Sequence, residues 1–146
     1  MMPPAARITL TLVFAVALAG GAVAAMSGTQ LARQAILDHY AAEARAADPG
    51  FRGFSADAGR AFFLAHPGTG RPATPSCTTC HTTSPLNVGH TRAGKAIAPV
   101  AVSATPTRFT DLAKVEKWFA RNCRTVYGRV CTPVEKGNYI SFMAGL

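Results

Sequence analysis

Cys77-Thr78-Thr79-Cys80-His81 is the stretch that decides how the rest of this 146-residue chain is interpreted. Two thiols three positions apart can each add to a vinyl group of one porphyrin, and the adjacent His81 then has a ring nitrogen free to bind the iron. A zinc site would need two further ligands at suitable spacing, and a thioredoxin-like redox pair would follow a buried strand, for which no apolar run precedes Cys77. The stretch therefore predicts one haem c, attached covalently through Cys77 and Cys80.

The first 25 residues are typical of a secretory signal peptide. One base, Arg7, precedes an uncharged apolar run over 8–19, and small residues over 20–25 offer a cleavage site. If the leader is not cleaved, its apolar stretch is just long enough to anchor the chain in a membrane. Because haem c is attached outside the cytoplasm in bacteria, both features predict the periplasm. We expect a signal peptide over 1–25 and one domain over 26–146.

Positive charge is concentrated in the second half of the expected mature chain. Removing residues 1–25 takes away one base, Arg7, and no acid, so the formal net charge falls from +8 to +7. From Ser76 onward there are nine Lys and Arg against three Asp and Glu. This excess is either an ordinary solvated surface or a positive rim around the haem that steers an acidic protein partner. No basic-aromatic motif indicates nucleic acid, and we expect no such partner.

The pattern of caps, breakers and apolar positions predicts four helices and little strand. They run over 27–46, from Ser55 to a break at 67–68, from a cap at Thr110 or Asp111 to about Asn122, and from Thr132 onward. Gly59 either weakens the second helix or lets another helix approach closely. The segment over 82–107 is too irregular for a regular element and is expected to wrap around a porphyrin. The fold class is therefore all-α: a small cytochrome c-like domain with about four helices and long loops around one covalently bound haem.

Two cysteines, Cys123 and Cys131, remain after haem attachment. In an oxidising compartment, an even pair eight positions apart is expected to form a disulfide. A redox-active pair is the alternative, but nothing nearby marks a thiolate of low pKa.

The residues alone leave the sixth iron position open. Met143 offers the usual thioether, but it lies within the apolar pattern of the last helix, where packing is the ordinary role. His90 is a lone loop histidine, and such residues are commonly solvated. Asn122 falls on the apolar face of the third helix, where it needs a polar partner unless it is a helix-terminal residue that bonds local backbone. Further candidates are His39, His66 and Lys95.

Several stretches between positions 76 and 133 match the pattern of one known family: Ser76–His81, Thr91–Pro99, Ser103–Pro106, Arg108–Asp111, Val115–Trp118, Arg121–Cys123, Gly128–Arg129 and Cys131–Pro133. In these stretches the chain resembles the sphaeroides-haem-protein (SHP) type of monohaem cytochrome c. The spacer over 82–90 and Met143 depart from that family's pattern, and Met143 leaves a Met-ligated variant open.

The resemblance implies that Asn122 binds the iron opposite His81 and that a disulfide between Cys123 and Cys131 braces it. It also implies a periplasmic protein that binds small diatomic ligands. The redox partners it implies are a dihaem cytochrome c and a membrane cytochrome b.

Other residues have roles that the resemblance and their position suggest. Trp118, one turn before Asn122, either packs on the haem or belongs to the ordinary core. By resemblance to cytochromes c, the Pro99 carbonyl is a candidate acceptor for the His81 ring N–H. Arg92 and Lys95 either pair with haem carboxylates or are solvated.

An iron-bound carboxamide suggests gated binding of gas. Its oxygen is a hard, neutral donor that suits Fe(III) better than Fe(II), so reduction is expected to release Asn122 and open the iron to O₂ or NO. The leading hypothesis is therefore an electron-transfer and gas-binding module rather than an enzyme. The alternatives are a plain electron shuttle with His81 and Met143 as ligands, and an enzyme that turns over the gas or peroxide, for which no distal acid–base pair is seen.

Overall fold

The computed structural model describes residues 26–146, so the predicted signal peptide over 1–25 lies outside the described residues. Within this part the chain forms five helices and one pair of short strands. No helix in it is both long enough and apolar enough to cross a membrane. In chain order the elements are α1 (Gly28–Ala47), α2 (Ala56–Leu64), α3 (Thr78–His81), β1 (Gly89–His90), β2 (Ala96–Ile97), α4 (Leu112–Val126) and α5 (Pro133–Ala144).

Capping side chains set the starts of the longer helices. Ser27 accepts a hydrogen bond from the Gln30 N–H (3.3 Å), and Gln30 Oε1 accepts one from the Ser27 N–H (2.7 Å), which completes a capping box at α1. Thr132 and Glu135 form the same arrangement at α5, with Pro133 in the first turn. The predicted starts of these two helices are therefore confirmed.

α4 is longer than the sequence pattern predicts. It begins after the Asp111 cap as expected, but it continues beyond Asn122 to Val126. No Gly or Pro interrupts positions 123–126, and the helix ends just before Gly128, which adopts a left-handed φ of 66°. The predicted end at Asn122 is wrong, and so is the alternative that Asn122 bonds backbone as a helix-terminal residue.

The long segment between α3 and α4 is mostly irregular, as predicted, but it contains one short antiparallel pair. β1 and β2 are in register with Gly89 opposite Ile97. After β2, the N–H groups of Val100 and Ala101 both donate to the Pro85 carbonyl oxygen, each at 3.0 Å. These bonds fold the segment back towards α3.

A buried arginine of α1 holds the far end of this segment. The guanidinium of Arg33, a residue that is 6% exposed, donates to the carbonyl oxygens of Pro106 (2.7 Å) and Arg108 (3.2 Å). Backbone carbonyls that turn inward need such donors, because an unpaired buried carbonyl is costly. The turn that carries Arg108 is therefore fixed to the helical scaffold.

α5 lies at the centre of the fold, and α2 packs closely along it. A Cβ atom at Gly59 of α2 would lie well inside van der Waals contact with the carbonyl oxygen of Asn138 on α5. Of the two alternatives for Gly59, close helix approach is therefore the one observed. The surrounding core consists of side chains from the four longer helices: Ile36, Tyr40, Phe63, Val115, Phe119, Tyr139, Ile140 and Met143.

We expect Gly59→Ala to lower the free energy of unfolding by about 2–3 kcal/mol, because the added methyl group overpacks a contact with backbone. Urea denaturation followed by circular dichroism measures the loss. Gly28→Ala in α1 is the matched control, since a Cβ atom there meets no atom within 4 Å. Equal stability of the two variants would contradict the close approach of α2 and α5.

A polar cluster connects α4 to α1 and α5. Tyr40 on α1 donates to Glu116 Oε1 (2.5 Å), and the Lys136 ammonium on α5 donates to both Glu116 oxygens (3.0 and 2.9 Å). Burial alone would raise the pKa of the Glu116 carboxyl. The hydrogen bonds from Tyr40 and Lys136 outweigh that effect, so the pKa of this carboxyl is lowered overall. The charged carboxylate thus joins three helices and positions the N-terminal half of α4.

Candidate functional site

The two thiols and the imidazole of the haem-attachment stretch leave the same helical turn. Cys77 immediately precedes α3, and its carbonyl oxygen accepts hydrogen bonds from the N–H groups of Cys80 (3.3 Å) and His81 (3.1 Å). Thr82, at a φ of 60°, ends the turn directly afterwards. The local fold therefore places the three side chains side by side.

These three side chains line one cavity of about 1390 Å³. Pockets for small ligands usually measure about 300–1,000 Å³, so this cavity is large enough for a porphyrin. The remaining wall comes from α2, from the segments on either side of α3, from α4 and from α5. Its apolar residues include Phe62, Ile97, Val100, Val115, Phe119 and Tyr139.

Burial controls the protonation of the attachment residues. It raises the pKa of the Cys77 thiol to about 11, so this thiol is uncharged, unlike the thiolate of a redox-active pair. Burial, followed by the positive charge of Arg108, lowers the pKa of His81. Both effects favour the neutral imidazole, which is the form that binds a metal.

α4 brings Asn122 and Trp118 to the same cavity. The helix buries Phe119 and Cys123 in the core, and the two cavity residues lie beside that buried face. The Asn122 side chain is exposed and forms no hydrogen bond within residues 26–146. Trp118 is 49% exposed, and the Arg121 guanidinium lies 5.6 Å from the centre of its ring. The wall of one cavity thus contains both residues that are predicted to bind the iron, His81 and Asn122.

Pro99, the predicted acceptor for the His81 ring, does not belong to the cavity wall described within residues 26–146. Its carbonyl oxygen accepts hydrogen bonds from the Thr105 hydroxyl (2.9 Å) and from Arg108 Nε (3.0 Å), and Arg108 also donates to the Ala98 carbonyl oxygen. The expected bond between Pro99 and His81 stays a prediction.

The other candidate iron ligands are separated by the structure. Lys95 lines the cavity, whereas His39, His66, His90 and Met143 are absent from the wall that the described residues form. Met143 is fully buried on the face of α5 that packs into the core. Its position is that of a packing residue.

Two further residues of the wall, Arg108 and Tyr139, were not singled out as site residues in the sequence. The only sequence signal for Arg108 is its place in a family-like stretch. Tyr139 was predicted simply as part of an apolar helix, and nothing local distinguishes it from Ile140 beside it. Burial raises the pKa of Tyr139, so its hydroxyl stays protonated.

Cys123 and Cys131 join the end of α4 to the start of α5. Their sulfur atoms lie at bonding distance, their Cα atoms are 5.7 Å apart, and both residues are 3% exposed. This is the arrangement that the expected disulfide requires.

The volume and the donor set of the cavity fit haem c. Two thiols on one turn, an adjacent neutral imidazole and an apolar wall are the groups that covalent attachment and proximal ligation need. Arg92 and Lys95 at the rim can pair with haem carboxylates.

Three comparisons with known proteins agree with this geometry. Residues 49–143 match a family model described as a domain of unknown function, DUF1924. The chain is 47% identical over 137 residues to the cytochrome c-type protein SHP of Cereibacter sphaeroides, which covers 94% of this chain and 98% of that protein.

Two solved structures are similar in fold. Oxidised SHP, described as an oxygen-binding cytochrome c, has a TM-score of 0.72 and 46% identity over 78% of this chain and 96% of its own. The solution structure of cytochrome c'' from Methylophilus methylotrophus, which is concerned with the structural basis of haem-ligand detachment, has a TM-score of 0.65 and 33% identity over 76% and 90% of the two chains.

Proposed function

Because this chain belongs to the SHP family of c-type cytochromes, we propose that it is an exported electron-transfer protein that binds a diatomic gas, O₂ or NO, when it is reduced. The observation that carries the proposal is that His81 and Asn122 line the same cavity. The description of the SHP structure as an oxygen-binding cytochrome c supports it.

The cofactor is haem c, as in the c-type cytochromes of this family. When bound, it supplies a redox-active iron with a position that can exchange ligands. We assign the two thioether bonds to Cys77 and Cys80, and the proximal nitrogen to His81. Trp118 would pack against the porphyrin. The Pro99 carbonyl oxygen, which now accepts a hydrogen bond from Arg108, would accept one from the His81 ring N–H instead.

Asn122 is the residue that opens the site to gas. Its carboxamide oxygen would hold the oxidised iron and would be released on reduction, because a hard, neutral donor prefers the more highly charged ion. The freed amide would then offer a donor N–H to the gas, since the same side chain carries an acceptor and donors. Its exposed position, without hydrogen bonds within residues 26–146, leaves it free to move between the two roles.

The cysteine pair beside Asn122 limits that movement to the side chain. A disulfide between Cys123 and Cys131 fixes the last turns of α4 to the start of α5, and it is suited to an oxidising compartment. We place the mature protein in the periplasm after removal of residues 1–25. It contacts the membrane only if that segment is retained.

The redox partners that we propose are a dihaem cytochrome c and a membrane cytochrome b. The plain shuttle with Met143 as ligand loses support, because Met143 lies in the core rather than in the wall of the cavity. The enzyme alternative is tested separately: turnover of O₂, NO or peroxide by the reduced holoprotein would support it.

Absorption spectra of the holoprotein in both oxidation states test the function. We expect O₂ and NO to change the spectrum of the reduced protein and O₂ to leave the oxidised spectrum unchanged. Met143→Leu is the control, which should behave as the wild type. A reduced spectrum that is insensitive to both gases, or a sulfur-to-iron charge-transfer band that Met143→Leu removes, would contradict the proposal.

A further inference from the structure

α4 presents a continuous row of positive charge to solvent. Lys114, Lys117, Arg121 and Arg124 are all exposed, and they follow one another at intervals of three and four residues. At 3.6 residues per turn they fall within an arc of about 80° and extend over about 15 Å of helix. We refer to these four residues as the basic stripe.

The basic stripe has no counter-charge within residues 26–146. The three acidic residues of this half of the chain are engaged elsewhere. Asp111 accepts a hydrogen bond from the backbone N–H of Lys114 (3.0 Å) but forms no salt bridge with the Lys114 ammonium within residues 26–146. Glu116 pairs with Lys136 (2.9 Å), and Glu135 pairs with Arg129 (2.5 Å). Because like charges three and four residues apart destabilise a helix, this arrangement weakens α4 unless anions from outside the chain neutralise it.

Haem carboxylates are too few to supply those anions. The cavity wall contains seven basic residues against one acid, Asp111. Haem contributes two carboxylates, so most of the positive charge at the mouth of the cavity remains uncompensated. Lys117 lies outside the wall and cannot be accounted for by haem at all.

The basic stripe adjoins the cavity, because Lys114, Arg121 and Arg124 are part of its wall. Around the helix, Trp118 lies between the stripe and Asn122, and it is both half-exposed and part of the cavity wall. Tryptophan beside arginine is a combination that recurs at the energetic centres of protein interfaces. A surface bound to the stripe would therefore contact a side chain that also reaches the cavity.

We propose that the basic stripe, with Trp118 at its edge, is the docking face for an acidic electron-transfer protein. The proposal rests on the proposed function, since it needs a redox centre in the cavity. A redox protein must bring its own centre close to that cavity, and the stripe is the charged surface that borders it. Opposite charge on the partner would steer the encounter and fix its orientation.

Oxidation of the reduced holoprotein by small reagents of opposite charge tests the field at this face. One electron passes to hexacyanoferrate(III), which is an anion, or to tris(phenanthroline)cobalt(III), which is a cation. The reaction leaves the oxidised protein and the reduced reagent. In anaerobic stopped-flow at low ionic strength, we expect Lys117→Glu to slow the anionic reagent about fivefold to tenfold and to accelerate the cationic one. Arg60→Glu, an exposed site on α2 with the same charge change, should alter both rates less than about twofold. Equal effects of the two variants would overturn the proposal, because net charge alone would then explain them.

Binding measurements identify the occupant. Isothermal titration with poly-L-glutamate should show binding that Lys117→Glu weakens about tenfold and Arg60→Glu leaves within about twofold. Tighter binding to phosphatidylglycerol vesicles than to the peptide would replace the protein partner with a membrane surface. Self-association of the wild type at low salt that Lys117→Glu abolishes would make a second copy the occupant. Gas binding is recorded on the same samples, so a failure of the proposed function is seen separately from a failure of docking.

Discussion

The variant Cys77→Ala/Cys80→Ala is expected to lose covalent haem completely, so that acid acetone extracts all of its pigment while the wild-type pigment stays with the polypeptide. Only these two thiols lie beside His81 on the turn that faces the cavity. The expected change is all-or-none, because without both thioethers the group is held only by ligation and packing. Pigment content of the extracted polypeptide is the measurement.

The same variant tests how far the fold depends on the group in its cavity. We expect the free energy of unfolding to fall by at least about 3–5 kcal/mol, the scale for emptying a large apolar site. Cys123→Ala/Cys131→Ala is the matched control, because it also replaces two cysteines, those of the disulfide, but should retain the pigment. Covalent pigment in the first variant, or its loss in the control, would show that the attachment site has been assigned to the wrong cysteines.

The features that the sequence predicted correctly are those encoded in short stretches. The Cys77–His81 stretch specifies haem c by local spacing, and the family relationship confirms both that cofactor and the all-α cytochrome c-like fold. The capping boxes at Ser27 and Thr132 involve residues three apart, so they can be read without knowing what the helix packs against.

The features that the sequence did not predict depend on contacts between distant segments. Arg108 enters the site because Arg33, on α1, holds its turn in place. Tyr139 reaches the cavity because its ring packs edge-on against Phe62 of α2 and Phe119 of α4, and no periodic pattern separates it from residues of the core. The sequence pattern predicts an end of α4 at Asn122 because asparagine is common at helix termini, whereas α4 continues to Val126 and the exposed Asn122 side chain is compatible with the interior of a helix.

The second large effect is expected from Asn122→Ala. The spectrum of the oxidised holoprotein should change from that of iron with two protein ligands to that of iron with one, because alanine has no donor atom. Since a ligand that prefers Fe(III) stabilises the oxidised state, its loss should raise the reduction potential, by about 60 mV for each tenfold preference. Spectroscopy and potentiometric titration measure the two changes.

Gas release distinguishes the second role of Asn122 from the first. In the reduced protein, loss of the amide donor should speed dissociation of O₂ about fivefold to tenfold, the equivalent of one ordinary hydrogen bond. Asn87→Ala, at an exposed loop position outside the cavity wall, is the matched control and should change neither spectrum nor rate. If the oxidised spectrum of Asn122→Ala were unchanged, asparagine would not be the ligand. If the spectrum changed but the dissociation rate did not, Asn122 would bind the oxidised iron without contacting the gas, because the two roles use different atoms of one carboxamide.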